Sequence, residues 1–346
     1  MSNLKSLIEN KNIQLGKSKY FSAIIGETPS KGAKSPLLWN AAFKKMNFPA
    51  QMYPLDVSNK NLGKLIKNLR LDKRFIGGAV TMPYKINILN LLDNVDDNAK
   101  VIGAVNCIYR DNKNGLIGTN TDGAGALWSL KSVYGDLKGA RVLLLGAGGA
   151  ALAVATYVSK ALGKKGKIFI SNRSKKPLIK LKKKLSNNIC GLDLLSWPPP
   201  IDKAKEFDII INCSSIGFEN LKKDKKGIYF LKFFSPLGSV SKNIRVSESD
   251  DPLKNYAYKA AKDISKNTIQ TIRFLSKCQS TMVFDIIYQP NISHLLYLSD
   301  LIGFKTLSGK MMNLEQAVIA FDKTTSATGL RNSDQSEVRK YMKDAG

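Results

Sequence analysis

Apolar positions along the chain fall into two patterns. Between residues 20 and 124, short apolar runs ("YFSAIIG", "QMYPLDV", "IGGAVT", "AVNCIYR", "GLIGTNTDG") alternate with stretches of helical spacing ("SPLLWNAAFKKM", "INILNLLDNV"). Such strand–helix alternation predicts an α/β unit. From 125 to 215 a helix, "GALWSLKSVYG", leads into "ARVLLLGAGGAALAVATYVSKAL", "KIFISNRS" and "FDIIINCSS". These strands are apolar at successive positions, as a parallel sheet buried on both faces requires. Residues 219–280 break the pattern: lysine- and serine-rich and weakly periodic, they read as an insertion with a helix near 253–276. The strand "STMVFDIIYQP" follows, then helices "SHLLYLSDLIG" and "MMNLEQAVIAFDK", and the last ten or so residues are expected to fray.

At 346 residues the chain is long enough for about two domains. Its N-terminus lacks the apolar core of a signal peptide, and its most apolar window, 142–158, is interrupted by three glycines and is too short for a bilayer span. No membrane partner is expected. Cys107, Cys190, Cys213 and Cys278 form no CxxC pair, which suits free thiols in a reducing cytoplasm and gives no metal site. The formal charge is +27, but only nine of the 54 cationic residues are arginine and the lysines are spread throughout. Base and phosphate recognition favours the arginine fork, so a solvated surface accounts for the charge better than a nucleic-acid partner does.

"RVLLLGAGGAALA" places Gly146, Gly148 and Ala151 in G-x-G-x-x-A order between an apolar strand and a helix. Each small residue has a use there: a tight turn, close backbone approach to a pyrophosphate, and close helix–strand packing. A tight βα turn in a sheet that binds nothing is the bland alternative; strand and helix on both sides favour a dinucleotide. An NAD site carries an acid at the end of the next strand to hold the ribose 2′-hydroxyl. Here "KIFISNRSKK" offers Asn172, Arg173 and Ser174, with Lys175 and Lys176 behind, and no acid. A guanidinium, an amide and a hydroxyl suit a 2′-phosphate, so NADP is the expected cofactor.

The single histidine, His294, opens a helix beside Leu295 and Leu296 and reads as structural. Another group must then exchange the proton that accompanies hydride transfer. In "GGAVTMPYKINILN", Pro83 can occupy a first helical turn, which places Thr81 and Lys85 near the C-terminal end of a strand, where α/β sites lie. A helix N-terminus is a poor place for a cation without other purpose. Asp122, in "GTNTDGAG", comes from a second such corner, where it would also serve as an N-cap for a helix over 123–134. If the two corners face each other, an ammonium–carboxylate pair results that can hold a substrate hydroxyl and trade its proton.

Taken together, these motifs resemble the shikimate dehydrogenase family. "SP" at 35–36 with "WNAAF", "VTMPYK", "GAVNC", "NTDG", "GAGGAA", "NRS", "FDIIYQP" and "GKMMNLEQA" follow the family's order over roughly 20–218 and 281–321. The resemblance implies Lys85 and Asp122 as the catalytic pair. It implies Ser35, Thr81, Asn106, Tyr288 and Gln316 on the substrate's carboxylate and hydroxyls. Gly146, Ala147, Gly148, Gly149, Ala150, Asn172, Arg173, Ser174 and Met312 would lie along NADP. The implied fold is α/β: a discontinuous substrate domain (20–124 plus 310–335) around a Rossmann domain (125–309, containing the insertion 219–280). The implied reaction is reversible reduction of 3-dehydroshikimate to shikimate, in a monomer or homodimer.

Two positions depart from the family pattern. Ala33 stands where S-x-S-P has its first serine, and Ala79 where N-V-T has its asparagine. Each loses a polar contact of about 1 kcal/mol. Lys31 or Lys34 is a candidate replacement for carboxylate charge. A paralogue acting on quinate or a related carboxylate stays open, as does a non-catalytic NADP-binding regulator, although a regulator needs neither Lys85 nor Asp122.

Overall fold

The computed structural model describes residues 2–13, 16, 18–185, 190–218, 221–224, 227–240, 252–326 and 334–346. They form two compact units, Met1–Gly125 with Asn313–Gly346, and Ala126–Met312. Parts of the insertion, including 241–251, lie outside the described residues.

In the first unit a short helix α1 (Ser2–Lys5) precedes strands β1 (Tyr20–Gly26), β2 (Ala50–Asp56), β3 (Phe75–Val80), β4 (Asn94–Val95), β5 (Cys107–Arg110) and β6 (Leu116–Thr119). The sheet order is β2-β1-β3-β5-β6-β4. Pairing is parallel among β1, β2 and β3 and between β4 and β6, and antiparallel from β3 to β5 to β6. Side chains obey the period of two. Phe21, Ala23 and Ile25 of β1 join one core with Leu62, Leu65, Ile66 and Leu69 of helix α3 (Asn59–Leu71). Ile24 joins the opposite core, with Trp39 and Phe43 of helix α2 (Ser35–Lys45). β3 runs so close to its neighbours that a Cβ on Gly78 would collide with the Ala23 carbonyl oxygen of β1 and one on Gly77 with the Ile108 carbonyl oxygen of β5, which accounts for the glycines in "IGGAVT".

Two expectations fail in this unit. "INILNLLDNV" is not an α-helix: the chain turns through Met82–Ile86, forms a 3-10 helix at Asn87–Leu91, and enters β4. Pro83 lies in that turn, after a cis peptide bond, and does not open a helix. The segment is tied at both ends, Lys85 C=O accepting from Val105 N–H (2.7 Å) and Asp93 N–H donating to Leu116 C=O (3.0 Å), which leaves too little free chain for helical turns. The C-terminus does not fray either. Helix α4 (Asp97–Ile102) and the later helices are followed by a terminal helix, Gln335–Ala345, with Val338 and Met342 fully buried against the α2 side of the sheet.

The second unit is a parallel sheet of β7 (Arg141–Leu145), β8 (Lys167–Ser171), β9 (Gly191–Leu195), β10 (Ile209–Asn212), β13 (Met282–Asp285) and β14 (Lys305–Ser308). Strands β11 (Leu221–Asp224) and β12 (Gly227–Phe230) pair separately as a hairpin. The order β14-β13-β10-β7-β8-β9 is that of a Rossmann fold, with its switch point between β7 and β10. Both faces are buried: Val142 and Leu144 join one core, Leu143 and Leu145 the other. The remaining helices are α5 (Asp122–Tyr134), α6 (Gly149–Leu162), α7 (Lys175–Lys184), α8 (Pro252–Leu275), α9 (His294–Leu301), α10 (Gly309–Ser326) and the terminal α11 (Gln335–Ala345). α5 and α10 carry the chain from one unit to the other.

Candidate active site

In the first unit the strand ends bring together residues far apart in sequence. Lys85 Nζ donates to Asp122 Oδ2 at 2.8 Å, both side chains being half-buried. The other carboxylate oxygen, Oδ1, accepts from Asn106 Nδ2 at 2.8 Å. Asn106 is itself fixed. Its Oδ1 accepts from Thr121 N–H (2.7 Å), and its Nδ2 also donates to Thr121 Oγ1 (3.0 Å) and to Gln316 Oε1 (3.3 Å). Thr121 Oγ1 donates to the Gln316 carbonyl at 3.0 Å, fastening α10 to the start of α5. Asp122 is the first residue of α5 and not its cap; its carboxylate is committed to Lys85 and Asn106. The result is an ammonium with two remaining donor hydrogens beside a carboxylate whose rotamer is fixed from behind, a pair able to hand a proton to an oxygen or take one from it.

In the same unit, Ser35 opens α2 and Thr81 directly follows β3, both half-buried. Ala33 and Ala79 pack on the apolar cluster that holds Trp39 and Phe321. Lys31 and Lys34 are exposed. The turn before Ser35 is braced by the buried Asp56, whose carboxylate accepts from Ser30 N–H (2.8 Å) and Ser30 Oγ (2.5 Å). Gln316 follows Glu315, which is 1% exposed and takes a two-pronged bond from Arg339 of α11 at 2.6 and 2.9 Å. Thr121 belongs to the polar cluster although the sequence singled out only its neighbour.

In the second unit a cavity of about 230 Å³ opens at the switch point. Gly146, Ala147, Gly148, Asn172 and Arg173 line it, together with Trp197, Cys213, Ser214, Ser215 and Pro236, none of which the sequence had marked. Gly146 has φ +112°, and a Cβ there would stand 3.0 Å from the backbone of Cys213 and Ser214. Gly148 precedes α6 and Gly149 opens it; neither would have a heavy atom within 4 Å of an added Cβ, so the backbone at the helix start faces open space. With no acid in the first turn, that helix start suits a phosphate. Asn172 Nδ2 donates to the Ser174 carbonyl (2.8 Å), shaping the loop that presents the exposed Arg173 guanidinium. Donor chemistry and space thus fit the phosphate-bearing end of NADP. Ser174 precedes α7, Ala150 lies in the first turn of α6, and Met312 packs in the core; none of the three lines this cavity.

Tyr288 lies half-buried after β13, in a loop built on Asp285. That carboxylate is fully buried, accepting from Asn212 Nδ2 (3.0 Å), Ile287 N–H (3.0 Å) and Ser293 Oγ (2.6 Å). Burial without a cation pushes its pKa up to about 6, against the opposing effect of the three hydrogen bonds. His294 Nε2 shares a 2.8 Å bond with Thr268 Oγ1, and burial lowers its pKa. Among the described residues no cluster of His, Cys, Asp and Glu is arranged to hold a metal, and no helix is long and apolar enough to cross a membrane.

Residues 24–108 match the family model for the shikimate dehydrogenase substrate binding domain. The chain is 33% identical over 310 residues to the shikimate dehydrogenase (NADP(+)) of Carboxydothermus hydrogenoformans, covering 89% of this chain and 92% of that one. Its fold superposes with a TM-score of 0.72 on a Listeria monocytogenes shikimate 5-dehydrogenase solved with shikimate and NAD, at 23% identity over 96% of this chain and 99% of the other. A shikimate dehydrogenase solved with NADP+ superposes with a TM-score of 0.65 at 26% identity, over 94% of this chain and 95% of that one. A unit that matches the substrate-binding family model, a Rossmann unit with a basic loop after β8, and 33% identity over 89% of the chain leave one assignment: this chain belongs to the shikimate dehydrogenase family.

Proposed function

We propose that the protein catalyses the NADP-dependent, reversible reduction of 3-dehydroshikimate to shikimate, a step of aromatic amino-acid biosynthesis, in the cytoplasm. The observation that carries the assignment of roles is the 2.8 Å contact between Lys85 and Asp122, with Asn106 on the second carboxylate oxygen. Bound NADPH supplies the hydride. Lys85 supplies the proton: as carbonyl becomes alcohol, the ammonium gives a proton to the new alkoxide oxygen, and in the reverse direction the amine takes the hydroxyl proton. Asp122 holds Lys85 in place. Asn106, itself held by Thr121 and Gln316, fixes the carboxylate, and the three present further polar atoms to ring hydroxyls. Arg173 and the α6 N-terminus hold the phosphates.

Absorbance at 340 nm with NADP and shikimate tests this. Lys85→Ala is expected to lower kcat by roughly 10²- to 10⁴-fold while NADP affinity is retained; unaltered turnover would refute the role of Lys85. A second reading, a preference for quinate or another polyhydroxy ring carboxylate, draws support from Ala33 and Ala79, which are apolar where the family pattern is polar and which pack on an apolar cluster. Turnover of quinate without shikimate in the same assay selects it.

A further inference from the structure

The segment after β12 has the weakest sequence pattern in the second unit, yet it is strapped to α8. Asn267, fully buried in that helix, makes three bonds with it. Its Oδ1 accepts from Ser235 N–H (2.8 Å), and its Nδ2 donates to the carbonyls of Ser235 (2.9 Å) and Ser239 (2.9 Å). Gln270 Oε1 adds a bond from Ser239 N–H (2.7 Å). Phe234 and Val240 pack with Ile216 and Ala260, flanked by Trp197 and Ile264. Asparagine is a weak helix former, and a fully bonded buried amide of this kind fixes the conformation of what it holds.

What it holds is a wall of the cavity. The Pro236 carbonyl accepts the Trp197 indole N–H at 3.0 Å, and both residues line the same space as Gly146, Arg173 and Ser214. With its N–H satisfied by protein, the indole offers the cavity only its ring. A ring surface sharing a cavity with a guanidinium suits a flat, electron-rich heteroaromatic base, which stacks on the one and takes a cation–π contact from the other. The position agrees: Trp197 follows β9, the strand beside β8, and it is the β8 loop that carries the 2′-phosphate donors. We infer, on the dinucleotide reading of this cavity, that Trp197, fixed by Pro236 and through Asn267 by α8, forms the wall against which the adenine base of NADP packs. Residues 234–240, within the stretch that broke the sequence pattern, are then part of the cofactor site.

The test is binding, followed by calorimetry and tryptophan emission, with adenosine 2′,5′-bisphosphate, NADP and nicotinamide mononucleotide as probes. Wild type is expected to bind the bisphosphate with quenching of emission, and the quench to be absent in Trp197→Phe. Trp197→Ala should weaken the bisphosphate and NADP about tenfold, and Trp197→Phe, which keeps a ring, less than about threefold. Affinity for nicotinamide mononucleotide should not change. Asn267→Ala, which leaves the indole but cuts the strap, should weaken the bisphosphate by an intermediate factor. Equal affinity of folded Trp197→Ala and wild type for the bisphosphate overturns the wall and leaves the dehydrogenase assignment standing. Failure of wild type to bind NADP at all overturns both.

Discussion

The two units build their sites in different ways. In the Rossmann unit the cavity is made largely where the chain leaves a strand: Gly146 after β7, Asn172 and Arg173 after β8, Trp197 after β9, Cys213 to Ile216 after β10. Much of what it offers is backbone shaped turn by turn at neighbouring strand ends, the Trp197–Pro236 wall being the part braced from a distance. In the first unit the polar cluster is made of side chains gathered from distant segments; Asn106 and Gln316 touch across 210 positions. A site of the first kind is specified by local turns. A site of the second kind depends on whatever clamps its segments together, and in this unit one clamp is the buried Glu315–Arg339 pair beside Gln316.

Removing that clamp should have the largest effect. Arg339→Met leaves the Glu315 carboxylate buried and unpaired, which should cost about 3–5 kcal/mol in urea unfolding, and Glu315→Met with Arg339→Met should recover most of it. A loss below 1 kcal/mol would show that the substrate-binding unit does not need its C-terminal helix in this way, and the contrast between the units would fail.

The second test sharpens the comparison from the other side, since the Rossmann unit also contains long-range polar braces, Asp285 among them. Its pKa is about 6 in the folded protein against 3.8 for the free group, so the folded state binds more protons between these values. The contribution of this group to stability is therefore lost as pH rises from about 4 to about 6 and is constant above. Asp285→Asn removes that slope, so the wild-type-minus-variant stability difference should fall by up to about 3 kcal/mol across the window. Cofactor affinity at pH 7 is the second readout; no change in it would confine the brace to stability.

The smallest effect belongs to the most local feature. Arg173→Ala should weaken NADP about tenfold and NAD, which keeps the base but lacks the 2′-phosphate, by a smaller factor, measured as the ratio of their dissociation constants. Equal losses for both would mean that the guanidinium serves the base alone, not the 2′-phosphate.

Much of this molecule was readable from local pattern. Uninterrupted apolar runs marked the buried parallel strands, because a strand covered on both faces has no polar side. The order G-x-G-x-x-A marked the tight turn between β7 and α6, because only small residues permit that backbone. The N-R-S loop without an acid pointed to NADP, the cofactor in the name of the relative it matches. What local pattern misjudged was structure under distant control. "INILNLLDNV" has helix-compatible spacing, but bonds from Val105 and Leu116 shorten it to a 3-10 turn. The last ten or so residues are expected to fray as chain ends do, yet Val338 and Met342, one helical turn apart, find a core that α2 and α10 provide.

By itself, then, the sequence determined the kinds of element, the fold class and the type of each chemical group, since these follow from propensity and from periods of two and 3.6 residues. Tertiary structure alone decided which groups meet: Lys85 with Asp122, Gln316 with Asn106, Arg339 with Glu315, Trp197 with Pro236. Spacing along a chain carries no information about contact once sheet pairing and core packing set the distances, and hydrogen bonds act only over about 3 Å.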